Sequence, residues 1–101
     1  MDGRKEKRIS RTLRVLLSSG GQPVVAEYAS TENVSSSGAR VRTDRPWRPD
    51  SRVVIKSSQG DLWARARVVY CQTVQSKTLQ SRMFVLGLEF LALTGDWMLR
   101  A

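Results

Sequence analysis

A strict alternation of side chains near the middle of the chain limits which folds are possible. From Leu62 to Tyr70, every second residue is apolar, and Arg65 and Arg67 stand between them. Successive side chains of a β-strand point to opposite faces of the sheet. The pattern therefore predicts a strand that has one face buried and one face in water.

Five further segments carry weaker strand signals, and turn residues separate all six. Apolar residues alternate in the strand that begins at Arg11 and in Met83–Phe90. The other predicted strands are Val24–Ala29, Ala39–Thr43 and Arg52–Lys56, with loops at Ser30–Gly38 and Gln72–Ser81 between strands. Six short strands joined by turns predict an all-β fold, a small six-stranded antiparallel β-barrel, because closing the sheet removes its exposed edges.

The length of 101 residues suits one small domain, and 41% hydrophobic residues can fill its core. Residues 1–10 are polar and have no periodicity, which predicts a flexible basic arm. Residues 11–101 are predicted to form the single barrel domain. In the tail Leu91–Ala101, Leu93 and Trp97 are four positions apart, which predicts a short C-terminal helix over the barrel end.

The charge of the chain predicts an anionic partner. Seventeen Lys and Arg residues against nine Asp and Glu residues leave a formal charge of +8. Nucleic acid, a nucleotide and an anionic membrane surface are all compatible with this charge. Arginine dominates in residues 1–14 and again in residues 40–52, and its planar fork suits phosphates and guanine edges better than lysine does.

Several classes of function are not expected. The chain has no histidine and a single cysteine, Cys71, so neither a zinc site nor a Ser-His or Cys-His nucleophile is predicted. No acid-base pair is visible, so we expect no enzyme and no cofactor. The charged N-terminus predicts no signal peptide, and no apolar run approaches the length of a membrane span. A cytoplasmic location is the resulting expectation.

Two short motifs carry a resemblance to a known family. Residues 4–8 contain two arginines four positions apart, Arg4 and Arg8, and residues 33–38 form the motif Asn-x-Ser-x-x-Gly. In this order, ahead of a set of strands, the two motifs resemble the signature of the PilZ domain, an RxxxR arm followed by [D/N]xSxxG. Residues 85–90 also resemble the closing strand of that family. The resemblance covers nearly the whole chain.

The resemblance implies a receptor for cyclic di-GMP, a ligand that has two phosphates and two guanines. An arginine can meet the O6 and N7 acceptors of guanine with two hydrogen bonds, stack on the base, or pair with phosphate. By resemblance, Arg4 and Arg8 contact the ligand from the arm. The resemblance also implies that Asn33 contacts a guanine, that the Ser35 hydroxyl hydrogen-bonds the ligand, and that Gly38 leaves room for it.

Arg40 joins the predicted site on a different argument. Arg40 and Arg42 occupy alternate positions of the predicted third strand and therefore share one face. If the ligand lies across that face, Arg40 adds a charge-assisted contact.

The predicted function is a cyclic di-GMP receptor that changes conformation on binding and signals to a separate downstream protein partner. One alternative is a degenerate PilZ-like domain that binds proteins and has lost the ligand. Another is a small barrel that binds nucleic acid, suggested by Trp63, Arg65 and Arg67 on one strand. Nucleic acid is not the expected partner.

Overall fold

The computed structural model describes residues 8–20, 24–75 and 82–98. These residues form seven β-strands, all paired antiparallel. The strands are β1 (Ile9–Ser10), β2 (Arg14–Ser19), β3 (Ala26–Val34), β4 (Gly38–Thr43), β5 (Arg52–Ser57), β6 (Trp63–Gln75) and β7 (Arg82–Thr94).

Six of the strands close into a barrel. Their order around it is β3-β2-β5-β6-β7-β4, and β4 returns to pair with β3. The predicted all-β, six-stranded antiparallel barrel is thereby confirmed. In the described part of the chain, no helix is long and apolar enough to cross a membrane.

The seventh strand, β1, belongs to an interrupted first strand of the barrel. Both β1 and β2 pair with β3, and Thr31 of β3 bridges the break between them. The Thr31 hydroxyl accepts a hydrogen bond from the Leu13 amide (2.8 Å) and donates one to the Arg11 carbonyl (2.5 Å). The predicted flexible arm is not confirmed, because Ile9 and Ser10 are paired in β1 and residues 1–7 lie outside the described residues.

The core lies inside the barrel and follows the predicted alternation. Leu62, Ala64, Ala66 and Val68 are buried, whereas Arg65 points to solvent. Inward residues of the other strands complete this core, among them Val15, Leu17, Val41, Ile55, Leu86 and Leu88. One residue of the predicted buried face departs from it: Tyr70 is only partly buried, because a register shift follows Val68.

The prediction of a C-terminal helix is wrong over the described residues. Residues 91–94 continue β7, and a turn follows with Gly95 at φ +80°. Hydrogen bonding to β6 outweighs the helical spacing, since Trp63 and Arg65 pair with residues of this segment. Trp97 does pack over the barrel end, with its ring centroid 5.3 Å from that of Phe90.

Three strands are longer than predicted. β3 runs to Val34 through the predicted loop, β6 runs to Gln75, and β7 begins at Arg82 and ends at Thr94. Polar side chains obscured these extensions. Residues 72–75 of β6 are all exposed, and in β3 the inward residue Thr31 is a buried polar side chain, so neither segment shows an apolar alternation.

Candidate functional site

The turn between β3 and β4 has a fixed shape. The Ser35 amide donates to the Gly38 carbonyl (2.8 Å), and the Ser35 hydroxyl both donates to that carbonyl (3.4 Å) and accepts from the Ser37 amide (3.3 Å). The Phe90 amide donates to the Ser37 carbonyl (2.7 Å), which ties the turn to β7. Ser35 is fully buried, so its hydroxyl shapes the turn from within. A direct contact between this hydroxyl and a ligand stays a prediction.

Gly38 allows β4 and β7 to approach closely at the end of this turn. A Cβ atom at residue 38 would lie 2.2 Å from the Leu88 carbonyl oxygen. Such an overlap with backbone cannot be relieved by rotating a side chain. The glycine is therefore required by the close approach of the two strands, and its φ is not in the left-handed region.

The two motifs meet in space at Arg8 and Asn33. The Arg8 Nη1 atom donates to the Asn33 Oδ1 atom over 2.9 Å. Pairing of Ser10 in β1 with Asn33 in β3 brings Arg8 to this position. Arg4, the other arginine of the predicted site, lies outside the described residues.

A depression of about 410 Å³ opens beside this contact. Ligand sites of small molecules have volumes of this order. Four of the six predicted site residues line it, namely Arg8, Asn33, Gly38 and Arg40, together with Ser37, Ala39, Val69, Tyr70, Gly87, Leu88 and Glu89. Ser35 lies beneath the turn and is not part of the wall.

Two β-bulges aim side chains into the depression. Glu32 is an extra residue of β3 relative to β4, and Val69 is an extra residue of β6 relative to β7. Without these bulges the strict alternation of each strand would turn Asn33 and Tyr70 into the barrel. With the bulges, both residues line the depression outside the core.

The charged side chains around the depression are arranged in two clusters. Glu32 accepts from Arg40 Nε (3.0 Å) and from Arg42 Nη2 (2.5 Å). Arg67 donates hydrogen bonds to Glu89 (3.1 Å) and to Asp50 (2.6 Å). These hydrogen bonds raise the pKa of Arg67, and the one to Glu89 contributes most.

The second cluster neutralises an acidic part of the wall. Among the described residues that line the depression, Glu89 is the one carboxylate, and Arg67 pairs with it. Arg8 and Arg40 contribute positive charge to the same wall. The depression is thus suited to an anionic ligand that can accept hydrogen bonds.

In the comparison with family models, the PilZ domain model matches residues 2–97. The chain belongs to the PilZ domain family. PilZ domains are cyclic di-GMP receptors, and the family is one of binding domains and not of enzymes. A search of curated proteins found no match.

Sequence reasoning missed part of the wall of the depression in this PilZ domain. A Cβ atom at residue 87 would lie 2.1 Å from Cε2 of Tyr70, so the tyrosine ring packs directly against the Gly87 backbone. A glycine inside a strand often marks such a close approach, and this signal could have found Gly87. Tyr70 could not have been found, because its outward position depends on the bulge at Val69.

Proposed function

We propose that this PilZ domain binds cyclic di-GMP in the depression between the β3–β4 turn and the β6–β7 pair. The observation that carries the proposal is the hydrogen bond between Arg8 and Asn33 at the edge of that depression. It brings together the second arginine of the RxxxR motif and the first residue of the NxSxxG motif, which are 25 positions apart in the sequence.

Arg8 is the principal contact in this proposal. Its guanidinium group is exposed and makes its hydrogen bond to a neutral amide. A ligand phosphate offers a charged acceptor, and the O6 and N7 atoms of a guanine offer two acceptors at once, so Arg8 can exchange Asn33 for the ligand. Asn33 then becomes free to accept a hydrogen bond from a guanine N–H group. Arg4 is proposed to supply a second arginine from the arm.

The remaining residues complete the proposed site. Ser35 and Gly38 give the turn its shape, and the Ser35 hydroxyl is proposed to contact the ligand as in the family. Arg40 contributes charge that Glu32 only partly neutralises, since that carboxylate is shared with Arg42. Tyr70 adds a half-buried aromatic ring against which a guanine can stack.

The proposal extends to signalling. When Arg8 transfers its hydrogen bond from Asn33 to the ligand, the residues that precede β1 are drawn toward the depression. The change in position of this basic segment alters the surface that the domain presents to a separate protein. Ligand binding is thereby coupled to partner binding, because only one of the two arrangements of the arm favours the partner.

Isothermal titration calorimetry with cyclic di-GMP tests the proposal, with GTP as the control ligand. The purified protein is compared with Arg8→Ala and with Arg48→Ala, which removes an exposed arginine of the β4–β5 loop and lowers the net charge equally. We expect saturable binding to the unmodified protein and to Arg48→Ala. Loss of a charge-assisted hydrogen bond in Arg8→Ala should weaken binding by roughly tenfold or more.

Two results would count against this function. One is the absence of heat with cyclic di-GMP when circular dichroism shows a folded protein. The other is an equal loss of affinity in both arginine variants, since that would indicate attraction by net charge and not a contact at residue 8.

A further inference from the structure

The outer surface of β2, β3, β5 and β6 has a composition unlike the rest of the barrel. We call it the basic face and define it by the outward residues Arg14, Leu16, Tyr28, Arg52, Val54, Lys56, Trp63 and Arg65. None of these residues lines the depression described above. Any function of the basic face is therefore separate from contact with the ligand.

Strand register arranges the basic face in rows. Tyr28, Leu16, Lys56 and Trp63 are neighbours in one row across four strands. In the adjacent row Val54 pairs with Arg65. Tyr28 is 58% exposed and Trp63 38% exposed. Two large aromatic side chains are thus presented to solvent with aliphatic and cationic side chains between them.

The cations of this face lack acidic partners. Within the described part of the chain, Arg52, Lys56 and Arg65 form no ion pair. Arg67, the cross-strand neighbour of Arg52 at the border of the face, is paired with Asp50 and Glu89. All three unpaired cations are exposed, and none of the eight residues that define the face is acidic. A surface of this kind attracts a partner of opposite charge.

An apolar groove crosses the same face. It has a volume of about 540 Å³, and Arg52 and Arg65 stand beside its apolar residues Val54 and Leu91. Leu91 is the extra residue of a bulge in β7 opposite β6, and it is 47% exposed. The groove can therefore take an apolar side chain while the two arginines hold neighbouring carboxylates.

We propose that the basic face docks an acidic segment of a separate protein, with an apolar side chain of that segment in the groove and its carboxylates on Arg52, Lys56 and Arg65. The inference rests on the proposed function, because this face would be where the receptor contacts its downstream partner. Tyr, Trp and Arg are the residues that most often anchor protein interfaces.

The mode of docking follows from the closed sheet. β2 is paired with β3 and β5, and β5 is paired with β2 and β6. Neither strand has a free edge in the region of the groove, so the partner cannot add a strand there. Side chains of the basic face must make the contacts.

The arrangement of the aromatic side chains favours a protein over a single-stranded nucleic acid. Tyr28 and Trp63 are three strand spacings apart, about 14 Å along the sheet. Leu16 and Lys56 lie between them and offer no ring for stacking. The Arg14 guanidinium already covers the Tyr28 ring at 5.0 Å from the centroid. Stacked bases need closely spaced open rings.

Fluorescence anisotropy with a defined probe tests the proposal. The probe is a short labelled peptide in which glutamates alternate with leucine and phenylalanine. The unmodified protein is compared with the triple variant Arg52→Glu, Lys56→Glu, Arg65→Glu. The control variant is Arg45→Glu, Arg48→Glu, Arg82→Glu, which changes the net charge equally at exposed residues outside the basic face.

At physiological ionic strength we expect the peptide to bind the unmodified protein and the control variant with similar affinity. The basic-face variant should bind at least about tenfold more weakly, because carboxylates there repel the probe. Equal weakening in both variants would overturn the proposal, as would tighter binding of oligothymidylate or of phosphatidylglycerol vesicles than of the peptide.

Cyclic di-GMP titration of the same variants keeps the two proposals distinguishable. The basic-face variant should bind cyclic di-GMP as the unmodified protein does, which also shows that it is folded. If no variant binds cyclic di-GMP but the peptide result holds, the ligand proposal fails and the docking surface stands. If the ligand binds and the peptide result fails, the docking surface alone is wrong.

Discussion

At the residue scale, small changes of side chain decide whether the site can form. Gly38 stands where the backbone of β4 meets the Leu88 carbonyl, and Ser35 holds its hydroxyl inside the turn that precedes this contact. The motif residues are therefore part of the structure of the turn before any ligand arrives. The same residues can shape the turn and also contact a ligand, because a ligand site requires a loop of fixed shape.

Gly38→Ala is expected to destabilise the protein. The added methyl group overlaps the Leu88 carbonyl oxygen, and overpacking of this kind costs about 1–3 kcal/mol of unfolding free energy. The matched control is Gly20→Ala, where a Cβ atom has no heavy atom within 4 Å. Urea denaturation of both variants measures the difference. Equal stability of the two variants would show that β4 and β7 are not so closely spaced.

At the element scale, the sequence predicted the strands better than it predicted what the bulges do to them. The alternation of Leu62–Val68 and the turn residues between segments were sufficient for an antiparallel barrel. Local sequence could not reveal the extra residues Glu32, Val69 and Leu91, because a bulge is defined by the opposing strand. The bulges at Glu32 and Val69 turn Asn33 and Tyr70 outward.

The resemblance of the motifs identified one of the two outward residues without any prediction of the bulges. Asn33 was predicted as a site residue from the resemblance alone, and it does line the depression. Tyr70 was assigned to the buried face, since nothing in the sequence marks Val69 as unpaired. The prediction of a C-terminal helix is wrong for a related reason. Two apolar residues at helical spacing are a weak signal, and continued pairing of β7 with β6 overrides it.

Thr31→Val tests the bridge between β1 and β2. The substitution preserves the shape of the side chain and removes its hydrogen bonds to Leu13 and Arg11. We expect a loss of about 1–3 kcal/mol in unfolding free energy, because the partly buried Leu13 amide is left without a partner. The exposed Thr73→Val is the control. Amide hydrogen exchange should also quicken at Ser10; unchanged exchange and stability would refute the bridging role.

At the scale of the whole molecule, the charge of +8 is distributed unevenly over the surface of the barrel. Glu32, Asp50 and Glu89 neutralise arginines next to the depression, and the basic face has no acidic residue. The composition predicted an anionic partner. It could not predict how the charge is distributed over the surface, since strand register decides which cations share a face. A small dianionic ligand and an acidic protein segment can then occupy different sides of one barrel.

A titration of isotopically labelled protein with cyclic di-GMP, followed by NMR of the backbone amides, tests this account most directly. We expect shifts at residues that line the depression, above all Gly38, Arg40 and Gly87, while the amides of Arg52 and Arg65 remain unchanged on ligand addition. Shifts centred on the basic face, or no shifts at saturating ligand, would contradict it.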